Sequence, residues 1–201
     1  VLEIYDEQLW DPKSDEYADL CNDASLLIRL EYVGIDVGNR WADLHQKVEG
    51  RAEEHMLTFA DVHFASMFAS VGDTAGVNRL VESFAEKGGT VRIEVGVPLA
   101  QAVADYCSGA YKQAQKALIE LRGRIIEIGG SHTQRDIFEL LMIEASIKSG
   151  DTATARHMLE NRTKLNPRNG LNWKKLAEIL PGVDEAAANI ARARAAELLM
   201  A

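Results

Sequence analysis

The chain is expected to be all-α, a helix-turn-helix repeat solenoid, and three observations carry that expectation. Apolar residues recur at helix period along the 201 residues, and no alternating strand pattern does. Unbranched helix formers (Ala, Leu, Glu, Arg) outnumber the β-branched residues that favour strands. A glycine also punctuates three similar stretches, Phe68–Thr74, Tyr106–Tyr111 and Ile147–Thr152. Gly72, Gly109 and Gly150 stand 37 and 41 residues apart, within the range of helix-turn-helix repeat units.

Each element follows in order. Val1 to Trp10 carries Leu2, Tyr5 and Leu9 at helical spacing and stops at Asp11-Pro12, because the residue before proline is pushed out of the helical region. Ser14 offers an N-cap for a helix to about Tyr32, with Tyr17, Leu20, Ala24, Leu27 and Leu30 on one face; Gly34 and Gly38 bracket the turn after it. Arg40 to Glu49 turns Trp41, Leu44 and Val48 inward, and Glu53 to Ser70 reads as a more apolar helix. Thr74 to Glu86 pairs with it, closed by Gly88-Gly89. A helix within Val91–Cys107 is interrupted at Pro98, which demands a kink or a fresh start with the proline in the first turn. Tyr111 to Ile128 has the clearest stripe, Ala114, Ala117, Leu118, Leu121, Ile125 and Ile128, and Gly129-Gly130 ends it.

The third unit, Gln134–Lys148 with Thr152–Leu165, is the most specific. Ala155 and Pro167 stand where a tetratricopeptide repeat places its small residue and its proline, whereas Val77 and missing prolines make the earlier units degenerate. Trp173–Leu180 and Asp184–Met200 would cap the array. The expected organisation is one solenoid domain over residues 1–201.

Composition limits the function classes. With 47% hydrophobic and 26% charged residues the chain buries a core without metal, cofactor or disulfide. The net charge of −9 is concentrated in residues 1–61, which hold 15 acids and 5 bases. With no basic patch to neutralise phosphates, nucleic acid is a poor partner; a protein or peptide is the expected one, with a homo-oligomer possible. Cys21 and Cys107 sit in apolar helical context outside any paired-cysteine motif and read as reduced core thiols, which places the chain in the cytoplasm. No apolar run approaches the roughly 18 residues of a membrane span.

Three runs occur in one order: Asp36-Val37-Gly38-Asn39-Arg40-Trp41, His55-Met56-Leu57-Thr58-Phe59-Ala60-Asp61-Val62-His63-Phe64, and Gly129-Gly130-Ser131-His132-Thr133-Gln134-Arg135-Asp136. Together they resemble the C-terminal half of the tetratricopeptide repeat protein 38 family, over nearly the whole chain. The resemblance implies a helical-repeat fold and that the chain is the C-terminal part of a longer repeat protein; it assigns no biochemical activity.

The polar residues admit two readings. In Gly129–Gln134 the glycines end one helix in a left-handed turn, Ser131 caps the next, and Gln134 completes a capping box. Alternatively, exposed N–H groups at the helix start, with His132 and Arg135 beside them, hold a carboxylate or phosphate. His55 and His63, eight residues apart on one helix, would lie about 12 Å apart and cannot share a metal; burial with hydrogen bonds to a neighbouring helix accounts for them better. Ser131, His132 and Asp136 are too close in sequence for a catalytic triad, and no nucleophile elbow or phosphate loop occurs. The first function expected is therefore a binding or scaffold module. The second is an enzyme or small-molecule binder, taking an anionic ligand with His63, His132, Arg135 and Asp136; no catalytic or metal-ligating residue is assigned.

Overall fold

The computed structural model describes residues 1–200. These form eleven α-helices and no strand among the described residues, in two compact units, Val1–Leu141 and a second from Met142 onward. No helix of the described residues is long and apolar enough to cross a membrane.

In the first unit α1 (Leu2–Ile4) widens into a π-helical turn over Tyr5–Leu9, and α2 (Tyr17–Tyr32), α3 (Arg40–Val48), α4 (Thr58–Ser70) and α5 (Thr74–Lys87) follow. Then come α6 (Val97–Cys107), α7 (Tyr111–Leu121) and the first part of α8 (His132–Lys148). The core centres on α4, where every residue from Phe59 to Phe68 is buried. A helix apolar on all sides needs neighbours on all sides, and α2, α3, α5 and α6 pack against it. Asp61, His63 and Ser66 go into the core with it.

Gly72, Gly109 and Gly150, the three spaced glycines, adopt φ of 74°, 85° and 86°. Each helix before them ends in the same double hydrogen bond. The glycine N–H donates three residues back, to Ala69, Tyr106 and Ile147, and the next N–H donates five back, to Phe68, Asp105 and Ser146. This is the Schellman closure, for which a left-handed residue is required. Asp73 and Asp151 then cap α5 and the helix Thr152–Leu165 by accepting from Gly76 and Thr154 N–H at 2.8 and 3.1 Å.

Pro98 lies within a helix that continues from Thr90 through a π turn over Arg92–Gly96. The wider turn takes up the missing donor and the ring's clash with the preceding turn. Gly96, inside it, presses so closely on Phe84 that a Cβ would stand 2.6 Å from the ring.

Several boundaries differ from expectation. The helix expected from Glu53 begins at Thr58. Ser14 does not cap α2, which starts at Tyr17; its hydroxyl bonds Asp19 instead. The Tyr111–Ile128 helix breaks after Leu121 at a turn containing Gly123, and Ile125 and Ile128 still reach the core from a 3₁₀ turn. Cys21 is buried as expected, but Cys107 is exposed.

The second unit holds the rest of α8 with α9 (Thr152–Leu165), α10 (Gly170–Ile179) and α11 (Glu185–Leu199). The central α10 lies against both α9 and α11. It begins earlier than expected because Asn169 caps it, accepting from Leu171 and Asn172 N–H. Ala188, Ala191 and Ala195 form a small buried seam on α11, and Gly170 meets Leu199 where a Cβ would be only 2.9 Å away. Ala155 is fully buried in α9, and Pro167 follows its end.

Candidate functional site

The turn into α8 folds as its sequence dictates. Gly129 and Gly130 adopt φ of 91° and 74°, and Ser131 and Gln134 form the reciprocal capping box: Ser131 N–H donates to Gln134 Oε1 at 2.8 Å, and Gln134 N–H to Ser131 Oγ at 3.2 Å. Arg135 folds back to donate to the carbonyls of Gly129 and Gly130, at 3.0 Å for the first. Gly130 packs on Phe59 where a Cβ would stand 2.7 Å from the ring, so the missing side chain lets the turn approach α4.

A cleft of about 440 Å³ opens there. Its walls are the first turns of α2 (Glu16, Tyr17, Ala18, Cys21), the start of α4 (Leu57, Phe59, Ala60) and the turn itself (Ile128, Gly129, Gly130, Gln134). Its volume and largely apolar lining match those of small-ligand and anchor pockets. The Tyr17 wall is held from behind: its hydroxyl donates to Glu54, Arg51 donates to the same carboxylate at 3.0 Å, and the Arg51 guanidinium lies 4.4 Å from the Tyr17 ring centre. These two hydrogen bonds, Tyr17's foremost, hold Glu54 below the usual carboxylate range. Burial pushes the Cys21 thiol up to about 12, so it lines the cleft as an apolar sulfur and not as a nucleophile.

The four residues singled out from sequence occupy different settings. His132 is exposed. Arg135 is engaged with the turn carbonyls. Asp136 pairs with Arg29 at 3.2 Å. His63 is fully buried in α4, with Nδ1–H donating to the Phe59 carbonyl at 2.8 Å, so Nε2 accepts from the Ser25 hydroxyl at 3.1 Å. Burial lowers its pKa to about 4, against the Phe59 hydrogen bond and with some help from Arg29; His63 is therefore a neutral core residue at neutral pH. None of the four lines the cleft, and of this motif only the glycines and Gln134 do.

A second polar cluster was not legible as one. His55 lies outside α4, at φ 50°, and is buried by stacking on Phe84 with ring centres 5.1 Å apart. Its Nδ1 stands 3.2 Å from Asp61 Oδ1 and its Nε2 2.8 Å from Ser83 Oγ. The residue types and order are those of a nucleophilic triad, but the hydrogens run the wrong way. Ser83 Oγ–H donates to the Arg79 carbonyl at 2.6 Å, so Nε2–H donates to Ser83 instead of accepting from it. Ser83 also lies near the carbonyl end of α5, which disfavours an oxyanion. The cluster ties the loop before α4 to α4 and α5. Nothing in the sequence announces it, because Asp61 and Ser83 lie 6 and 28 residues away on separate helices.

The run Asp36–Trp41 has a comparable structural basis. Asp36 accepts from Gly38 N–H at 2.9 Å with Gly38 at φ 59°, Arg40 pairs with Asp6, and Trp41 Nε1 donates to Glu31 at 2.9 Å. Among the described residues no group of histidines, cysteines and carboxylates is arranged to hold a metal ion. No protein-family model matches the chain. No solved structure matches it either.

Proposed function

We propose that the chain is a helical-repeat binding module that takes a protein or peptide partner, with the cleft between α2, α4 and the Gly129–Gln134 turn as its anchor pocket. The observation that carries this reading is the cleft itself, a preformed apolar recess of about 440 Å³ on a rigid helical frame with few polar groups at its edge. The identical glycine closures at Gly72, Gly109 and Gly150 support the repeat part of the proposal, as does buried Ala155 followed by Pro167. Membership of the tetratricopeptide repeat protein 38 family and a cytoplasmic location belong to the same proposal and rest on the three sequence runs and the two unpaired cysteines. An anionic ligand is less favoured, because Glu16 puts a carboxylate at the cleft and Arg135 and Asp136 already have partners.

The test is selection of displayed random peptides on the chain, with an Ala18→Trp variant as counter-selection. Ala18 is exposed and lines the cleft, so the indole fills the recess without entering the core. Peptides enriched on the natural chain and lost on the filled one support the proposal. Equal recovery on both would place binding elsewhere and remove the cleft from it.

A further inference from the structure

We infer that the cleft selects a peptide segment in which an apolar anchor side chain stands next to a basic residue; this rests on the binding-module reading above. Three observations converge. The recess holds one large side chain with room around it, and its wall residue Leu57 is 57% accessible, with Met56 beside it in sequence at 66%. Leu57 is both wall and rim, so an anchor entering there covers surface that water now meets.

The polar groups at the cleft are uncommitted and complementary to a peptide. Glu16 is the N-cap residue of α2, yet its side chain makes no capping hydrogen bond, and among the described residues it forms no ion pair. Gln134 spends its Oε1 on Ser131 N–H, and its Nε2 donates to no group in the protein. A carboxylate and an amide donor on one apolar recess are complementary to a positive charge and a carbonyl, both of which a peptide supplies. The surrounding charge has the same sense: Asp11, Asp15, Glu16 and Asp19 stand against Lys13 in that segment and against Lys47, which lies 3.7 Å from Asp15. The guanidinium groups near it are already engaged, Arg51 by Glu54 and the Asp15 carbonyl and Arg135 by the glycine carbonyls, and neither pairs with Glu16. Tyr17, clamped by Arg51 and Glu54, gives the anchor a wall that loses little freedom on binding.

Three short probes separate the parts of the inference: acetyl-tryptophanyl-lysinamide, acetyl-tryptophanyl-glutamamide and acetyl-alanyl-lysinamide, each titrated into the ¹⁵N-labelled chain and followed by amide shifts of Leu57, Ala60 and Gly130. The tryptophan–lysine probe is expected to bind about 5-fold tighter than tryptophan–glutamate at low salt, with the gap narrowing in high salt. Glu16→Gln should bring the two together, Ala18→Trp should abolish both, and the alanine probe should not bind. Equal affinity for the lysine and glutamate probes, or a preference that survives Glu16→Gln, would overturn this inference and leave the binding module standing. If neither tryptophan probe binds, the anchor-pocket reading falls and this inference with it. Unchanged core amide shifts in both variants exclude misfolding as the cause.

Discussion

His55 Nδ1 faces Asp61 Oδ1 at 3.2 Å inside the core, although the His55 backbone is left-handed and its partner sits on the next helix. Because Nε2–H is spent on Ser83, a single proton bridges imidazole and carboxyl, and the two side chains act as one unit. Asp61 Oδ2 is buried without a hydrogen-bond partner, so removing the ring takes away the carboxyl's one side-chain hydrogen bond and leaves it only the more distant charges of Arg92 and Lys87. His55→Ala is expected to cost about 3–5 kcal/mol, the usual result of breaking a buried pair from one side. Asp61→Asn should cost less, since it removes the charge and an amide N–H can still donate to His55 Nδ1. In urea denaturation the double variant should cost less than the sum of the two; strict additivity would show that the pair is not coupled.

Two buried groups in the same unit bias stability in opposite directions with pH. Asp23 is raised from 3.8 to about 6, first by burial and then by Asp19. The folded chain therefore holds a proton that the unfolded chain releases, and the stability this adds below pH 4 is lost as pH rises to about 6. His63 is lowered from 6.5 to about 4, so its contribution is present above pH 6.5 and is lost as pH falls towards 4. Each effect is about 3 kcal/mol at most. Asp23→Asn should steepen the loss of stability between pH 6.5 and 4, and His63→Gln should flatten it. The slope of unfolding free energy against pH is the readout, because it does not depend on what either variant costs outright. Unchanged slopes would show that neither group titrates as described.

How far the sequence could be read depended on whether the determining contact was local. The capping box of Ser131 and Gln134, the left-handed turn at Gly129 and Gly130, and the closures at Gly72, Gly109 and Gly150 are all set within five or six residues, and each was legible. The start of α4 was not, because His55 is drawn out of the helix by Ser83 and Phe84, both on another helix. Helical spacing alone ran the pattern through it. The break after Leu121 leaves no mark in the periodicity for a related reason: Ile125 and Ile128 keep the stripe in phase although the helix has ended and a 3₁₀ turn follows. As for the site, the motif was legible and the recess beside it was not. Its walls come from residues 16–21, 57–60 and 128–134, and no periodicity reports that these segments converge.

The π turn before Pro98 gives a direct steric prediction. A methyl group at Gly96 would meet the Phe84 ring at 2.6 Å and Thr58 Cγ2 at 2.9 Å, with Phe84 itself buried under His55. Gly96→Ala should therefore destabilise the chain by about 1–3 kcal/mol, the range for overpacking a core, despite the better helix propensity of alanine. A gain in thermal stability would mean that the ring can move aside.

The adjacent glycines at the head of α8 separate backbone strain from steric crowding. Both have positive φ, so alanine at either costs about 1 kcal/mol for conformation alone. At Gly129 nothing lies within 4 Å of a Cβ, whereas at Gly130 the Phe59 ring lies at 2.7 Å. Gly129→Ala should therefore stop near that conformational cost, while Gly130→Ala should exceed it and also displace Phe59 from the cleft wall. Ser131→Ala should lose about 0.5–2 kcal/mol through the cap. His132→Ala belongs to a different class, because the ring is exposed, and should change stability by less than about 0.5 kcal/mol. Thermal unfolding of the four variants is expected to order them Gly130, then Ser131 and Gly129, then His132, from most to least destabilised. A His132→Ala variant as unstable as Gly130→Ala would contradict the exposed setting of that ring, and a Gly130→Ala variant no worse than Gly129→Ala would show that the turn does not press on Phe59.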